Sequence, residues 1–220
     1  MSEDRTNYIP ALRYEWLTSF YDTVMDKLMR ETTFKQALIR QARVDKEHRV
    51  LDLGCGTATL TLMIKQAHAD AEVTGLDGDP KALEIARGKI AESGLPIRLD
   101  DGMAFNLPYP DNSFDRVFSG LLFHHLTRHD KVRTLKEVHR VLVPGGELHV
   151  ADWGKADSAL MRSAFFLVQL LDGFKTTTDN VNGLLPGFFR QAGLQDVHET
   201  AHYTTVFGTM ALYQARKPVD

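Results

Sequence analysis

The residues able to do chemistry gather where apolar runs end. The first run, His48 to Leu53, has the length and composition of a buried strand and carries Asp52 at its end. It breaks into Gly54-Cys55-Gly56 and resumes as a helix-length segment, Thr57 to Gln66. A strand that turns on two glycines into a helix points backbone N–H groups and the positive helix end at a pocket. Asp52 adds a negative charge there, which suits a ligand carrying a cation. A second run, Val73 to Leu76, delivers Asp77-Gly78-Asp79-Pro80. Asp77 is placed to accept the hydroxyls of a ribose, and Asp79 to cap the helix Lys81 to Ala91 behind Pro80. A later run, Arg116 to Gly120, is followed by His124-His125, and Glu147 to Ala151 by Asp152. Adjacent helical residues point about 100° apart, so at most one of the two histidines faces a pocket. The other caps or bonds backbone. Asp152 is either a base or substrate anchor, or the cap of the next helix. No third ligand stands at metal-site spacing, so no metal centre is expected.

The elements that must position these residues alternate strand and helix. A third strand, Ile97 to Leu99, precedes Asp101-Gly102-Met103-Ala104, and the helix Arg128 to Leu142 stops at Val143-Pro144-Gly145-Gly146. Residues 1 to 47 are helical in pattern and rich in aromatics, among them Tyr14, Trp16, Phe20 and Tyr21. From 155 to 183 an apolar insert carries Leu160, Ala164, Phe165, Phe166, Val168, Leu171 and Phe174, more apolar surface than a one-sided helix needs. It is core, a lid over the pocket, or a dimer contact. Leu184 to Ala192 is a further helix, and Val197 to Thr205 with Thr209 to Arg216 an antiparallel closing pair.

The totals fit one α/β domain over 1–220. Hydrophobic content of 43% and charged content of 25% are globular averages, so a full core is expected from 220 residues. A net charge of −3 without a basic run argues against nucleic acid as partner. One cysteine excludes an intrachain disulfide, and the polar start MSEDRTNYIP lacks a signal core, so a cytoplasmic location is expected. The longest apolar stretch, Ala164 to Leu171, is too short to insert in a membrane.

The pattern Asp52-Leu53-Gly54-Cys55-Gly56-Thr57 lacks the third glycine of a dinucleotide fingerprint. It resembles motif I of the class I S-adenosylmethionine-dependent methyltransferases, of the small-molecule, quinone-biosynthesis type. Leu107-Pro108-Tyr109-Pro110-Asp111-Asn112-Ser113-Phe114-Asp115 and the Pro144-Gly145-Gly146 stop resemble further family segments. The resemblance runs from about Tyr21 to Lys217. It implies a Rossmann-like seven-stranded sheet of order 3-2-1-4-5-7-6 with strand seven antiparallel, and an N-terminal helical cap. It implies S-adenosylmethionine as cofactor, held by Asp52, Gly54, Cys55, Gly56, Thr57, Asp77, Gly78, Asp101, Gly102, Met103, Ala104 and Ser119. Tyr21 would lie near the methionine end, and His124, His125, Asp152 and Tyr21 would serve the chemistry. Met103 stands where the family often has an aspartate for the adenine amino group. Asp101 or the backbone at Ala104 would then read adenine. The expected function is methyl transfer to a small, partly apolar or aromatic acceptor, with a homodimer as a possible assembly. The alternative is a cofactor-binding protein without turnover.

Overall fold

A computed structural model describes residues 31–156 and 159–219. Tyr14, Trp16, Phe20 and Tyr21 lie outside the described residues, as do the side chains of Leu160, Ala164, Val168 and Leu171. The chain opens with α1 (Glu31–Gln41), β1 (Arg49–Leu53), α2 (Thr59–Ala67), β2 (Glu72–Asp77), α3 (Pro80–Ser93) and β3 (Arg98–Asp101). It continues through β4 (Phe114–Gly120), a 3-10 turn at Phe123–His125, α4 (Arg128–Val141) and β5 (Leu142–Trp153). It closes with α5 (Ala159–Asp172), α6 (Phe174–Val181), α7 (Leu185–Gln191), β6 (Gln195–Thr204) and β7 (Thr209–Arg216).

The seven strands form one sheet, ordered β3-β2-β1-β4-β5-β7-β6, in which β7 runs antiparallel to both neighbours. This is the topology the family resemblance implied. Alternation along the strands sorts the core into two layers. Leu51, Leu53, Val117, Leu148 and Val150 pack with Leu135 and Val138 of α4 and Phe189 of α7. On the opposite face Val50, Phe118, Ala151 and Leu212 pack with Phe34 and Leu38 of α1, Ile64 of α2, Phe165 of α5 and Val181 of α6. With both faces covered, β1 buries Val50 to Leu53 without interruption, as a central parallel strand must.

Two of the boundaries that differ from the sequence expectation have a clear physical cause. α2 begins at Thr59 because Ala58 takes a left-handed conformation, φ 61°, which extends the glycine turn. β5 begins at Leu142, directly after α4. Pro144-Gly145-Gly146 bends the strand instead of stopping it: Gly145 sits at φ 79°, and Lys217 N–H donates to the Gly146 carbonyl at 2.9 Å. A side chain on Gly146 would lie 2.9 Å from the Val143 carbonyl, so glycine is required at the bend.

Candidate active site

The carboxyl ends of β1, β2 and β3 are laced together by backbone hydrogen bonds. Gly54 and Cys55 N–H both donate to the Leu76 carbonyl, at 2.8 and 3.0 Å. Gly56 N–H donates to one oxygen of Asp77 at 2.8 Å, and Asp79 N–H to the other at 2.8 Å. Gly102 N–H reaches the Asp77 carbonyl at 3.0 Å. The two loop glycines differ. Gly54 (φ 73°) is pressed by Leu122, whose Cδ1 would lie 2.9 Å from an added Cβ, whereas a Cβ on Gly56 (φ 54°) would meet nothing within 4 Å among the described residues. Open space therefore lies beside Gly56, in the cradle where a ligand needs it.

Two carboxylates border that cradle. Asp52 is buried and accepts from the Thr61 hydroxyl of α2 at 2.6 Å. Burial pushes its pKa up to about 6, against the pull of the Thr61 bond and of Lys35 on α1. The Asp77 carboxyl is also pushed up by burial, opposed by the Asp79 and Gly56 N–H groups. The Gly78 N–H adds a third, weaker backbone contact, and a carboxylate with about four acceptor positions still has room for a hydroxyl. Asp79 caps α3 by accepting from Lys81 N–H at 2.9 Å. Met103 lies over Gly78, its Sδ 2.6 Å from where a Cβ would be, and its carbonyl accepts from Asn106 N–H at 2.9 Å. Asp101 ends β3 exposed, and Ala104 is buried. The Thr57 hydroxyl accepts from Lys89 of α3 at 2.9 Å. Cys55 is buried, and desolvation pushes its thiol far up, which makes it packing and not a nucleophile. The buried Ser119 hydroxyl in β4 has no hydrogen-bond partner among the described residues.

A second group of side chains sits at the ends of β4 and β5. Asp152, fully buried, collects five donors. Oδ2 accepts from Phe123 N–H at 2.7 Å and His124 N–H at 3.3 Å. Oδ1 accepts from Trp153 N–H at 2.7 Å and Asn180 Nδ2 at 2.9 Å, and meets His124 Nδ1 at 2.9 Å. Burial works to push this carboxyl up, but the adjacent His124 ring and the surrounding donors hold it below the usual carboxylate range. Asp152 is therefore an anion that orients His124. Accepting the Nδ1–H places the basic lone pair of the ring on Nε2. His125 stacks at 3.9 Å on His124, and burial, with His124 beside it, pushes its pKa down to about 3. Such a ring stays neutral and is too weak a base to hold a proton at neutral pH. Trp153 stands 6.4 Å from His124 and is backed by Phe165 at 5.1 Å.

The two groups adjoin, because Leu122, two residues before His124, is the side chain packed on Gly54. The turn carrying the histidines thus rests on the glycine loop. Sequence reading missed what holds α6 over this place. Asp179 pairs with Arg128 and Lys131 of α4, Lys131 donates to the Thr176 carbonyl, and Asn180 donates to Asp152. The signal available was a polar run, Thr176 to Asn180, inside an apolar insert. Phe165 is core at 1% exposure, while Phe166, Leu170 and Phe174 are 50%, 59% and 45% exposed.

Comparison with known proteins follows the same lines. A family model described as a methyltransferase domain matches residues 50–146. A demethylmenaquinone methyltransferase of Thermus thermophilus is 34% identical over 81% of this chain and 76% of its own length. That of Deinococcus radiodurans is also 34% identical, over 71% of this chain and 62% of its own, so the chain spans less than two thirds of that relative. Among solved structures, the apo form of the S-adenosylmethionine-dependent methyltransferase SibL superposes with a TM-score of 0.71 at 25% identity, covering 96% of this chain and 60% of that one. The chain belongs to the class I S-adenosylmethionine-dependent methyltransferases and is related to the methyltransferases of quinone biosynthesis.

Proposed function

We propose that the protein methylates a hydroxylated aromatic ring of the quinol class, with His124 as the base. The observation that carries this reading is the buried His124–Asp152 pair on a turn seated against the glycine loop. The names of the demethylmenaquinone methyltransferase relatives support the acceptor class, and Trp153 and Phe165 supply aromatic surface beside His124.

When bound, S-adenosylmethionine supplies the methyl group and a sulfonium leaving group. The chain's own residues then have these roles. Asp52 would offset the positive charge of the amino acid end, and Asp77 would accept from the ribose hydroxyls. The open space at Gly56 admits the ligand backbone-close, with Cys55, Thr57, Gly78 and Ser119 around it. Gly102, Met103 and Ala104 would hold adenine, with Asp101 at the rim. Methionine offers the ring a polarizable face instead of a hydrogen bond. His124 Nε2 takes the proton of the acceptor hydroxyl, which raises the ring's electron density at the atom to be methylated, and Asp152 stabilises the imidazolium. The rest of the rate comes from alignment of nucleophile, methyl and sulfur. His125, neutral throughout, packs against His124 and narrows its orientation. We place the protein in the cytoplasm; among the described residues no helix is long and apolar enough to cross a membrane. The exposed Phe166, Leu170 and Phe174 support either a lid or a homodimer contact.

The test is turnover with labelled S-adenosylmethionine against reduced naphthoquinols, phenols and hydrophilic amines. Transfer to a quinol, lost in His124→Gln with cofactor affinity intact, is the expected result. Cofactor binding without transfer to any ring, or preference for a hydrophilic amine, would overturn the reading.

A further inference from the structure

Asn180 is, among the described residues, the side chain of the insert that bonds to Asp152, and it has no role in the chemistry so far described. It is fully buried on α6. Its Nδ2 donates to Asp152 Oδ1 at 2.9 Å, the same oxygen that meets His124 Nδ1 at 2.9 Å. Its own Oδ1 is buried and has no partner among the described residues. A buried carbonyl left unpaired destabilises a fold, and an apolar side chain of similar volume would remove that defect. The helix does not need Asn180 as its tether either, because Asp179 next to it is clamped by Arg128 and Lys131. A residue that is unfavourable for packing and redundant for docking, yet bonded to the oxygen that orients a base, has its explanation in that bond.

We propose that Asn180 is a positioning residue that tunes the His124–Asp152 pair. By donating to Oδ1 it takes up part of the carboxylate's charge, so that Asp152 holds the His124 proton less tightly. The imidazole then returns the proton to solvent after each turnover, and the ring stays aligned because Oδ1 is held by two further donors, Trp153 N–H and Asn180 Nδ2. Among the described residues, the charged or titratable groups acting on the pair include His125 on the same turn, Lys131 from α4 and Tyr213 from β7. Asp179 on α6 is engaged by Arg128 and Lys131. None of these bonds to Asp152 Oδ1. The inference rests on His124 being the base.

The experiment compares wild type with Asn180→Leu, Asn180→Ala and Asp179→Asn, each loaded with S-adenosylhomocysteine. Asn180→Leu is expected to melt no lower than wild type and to bind S-adenosylhomocysteine within about twofold. The proton shared by His124 Nδ1 and Asp152, seen by NMR and assigned through His124→Gln, is expected to move downfield as that bond strengthens. The acid limb of the pH–rate profile should move to higher pH by about one unit. Asp179→Asn, which loosens α6, should raise acceptor KM and move neither signal. An unmoved Nδ1 proton in a folded Asn180 variant overturns the proposal, as does a raised KM with an unmoved limb. The NMR arm needs no turnover, so a failure of the acceptor assignment is read separately, from the turnover panel alone.

Discussion

The two halves of the site are built by different means. Around β1 to β3 the cradle consists of main chain: a loop at positive φ, strand ends laced by N–H groups, and carboxylates supported from neighbouring residues. Around β4 to β5 it is organised by one buried side chain, Asp152, bonded to the histidine turn, to its own strand and to α6. The first half depends on backbone conformation, the second on one buried charge. Damage should therefore spread differently in the two.

The largest effect is expected on the acceptor side. Asp152→Ala leaves five buried donors without their acceptor, and the loss of a buried charged partner costs about 3–5 kcal/mol. Urea unfolding should show that loss together with abolished methyl transfer. If stability stays within about 1 kcal/mol, the network is not what holds the histidine turn. On the cofactor side the corresponding substitution is Gly56→Val. Its strain at φ 54° costs the fold about 1–3 kcal/mol. Cofactor affinity should fall by roughly a hundredfold or more, since the side chain grows into the open space. Calorimetry decides this, and affinity near that of wild type would put the ligand elsewhere. Gly54→Val acts by another route, because its Cβ meets Leu122 and not the ligand space.

This asymmetry also explains what could be read from the sequence. Asp52, Gly54 and Gly56 lie on consecutive turns of one local motif, and Asp77 ends the next strand, so their adjacency follows from βαβ geometry alone. The sheet order was likewise legible through the run of family motifs. The bend at Gly145-Gly146 was not, since its cause is pairing with Lys217 at the far end of the chain. Asn180 and Asp179 were hidden for the same reason. Their partners, Asp152, Arg128 and Lys131, are distant in sequence, and only the packing of α6 onto the strand ends brings them close. Phe165 and Phe166 read alike in an apolar run, yet one is core and the other surface.

A smaller effect sharpens the cofactor half. Asp52 has its pKa raised to about 6 from 3.8. A group raised in the folded state stabilises it fully below the ordinary value, and that contribution is lost as pH rises through about 6. Ionised Asp52 thus leaves the apo protein about 3 kcal/mol less stable at neutral pH than a neutral group of the same shape would. Asp52→Asn should recover about 1–3 kcal/mol of that at neutral pH and flatten the dependence between about pH 4 and 7. In wild type, cofactor binding should tighten as Asp52 ionises, because the ligand's ammonium replaces lost hydration, and Asp52→Asn should lose this tightening. Chemical denaturation and calorimetry across pH test both parts. An Asn variant that is less stable than wild type at neutral pH would mean that the Thr61 bond outweighs the desolvation.

The smallest effect concerns the acceptor half's outer surface. Phe166 is half exposed and touches Phe174 edge to face at 5.6 Å. Its truncation removes little buried area, so Phe166→Ala should change stability by no more than about 0.5 kcal/mol. The informative readouts are acceptor KM and oligomeric state, measured together. If α5 and α6 form a lid, the exposed pair contacts the acceptor's apolar body, and KM should rise severalfold while sedimentation is unchanged. If the pair is a contact between copies, the variant should sediment as a smaller species at unchanged KM. The lid outcome would extend the Asp152-centred half of the site outward to an apolar part of the acceptor. The other outcome would confine that half to Asp152, the histidines and Asn180, and would leave the acceptor's apolar part unaccounted for by α5 and α6.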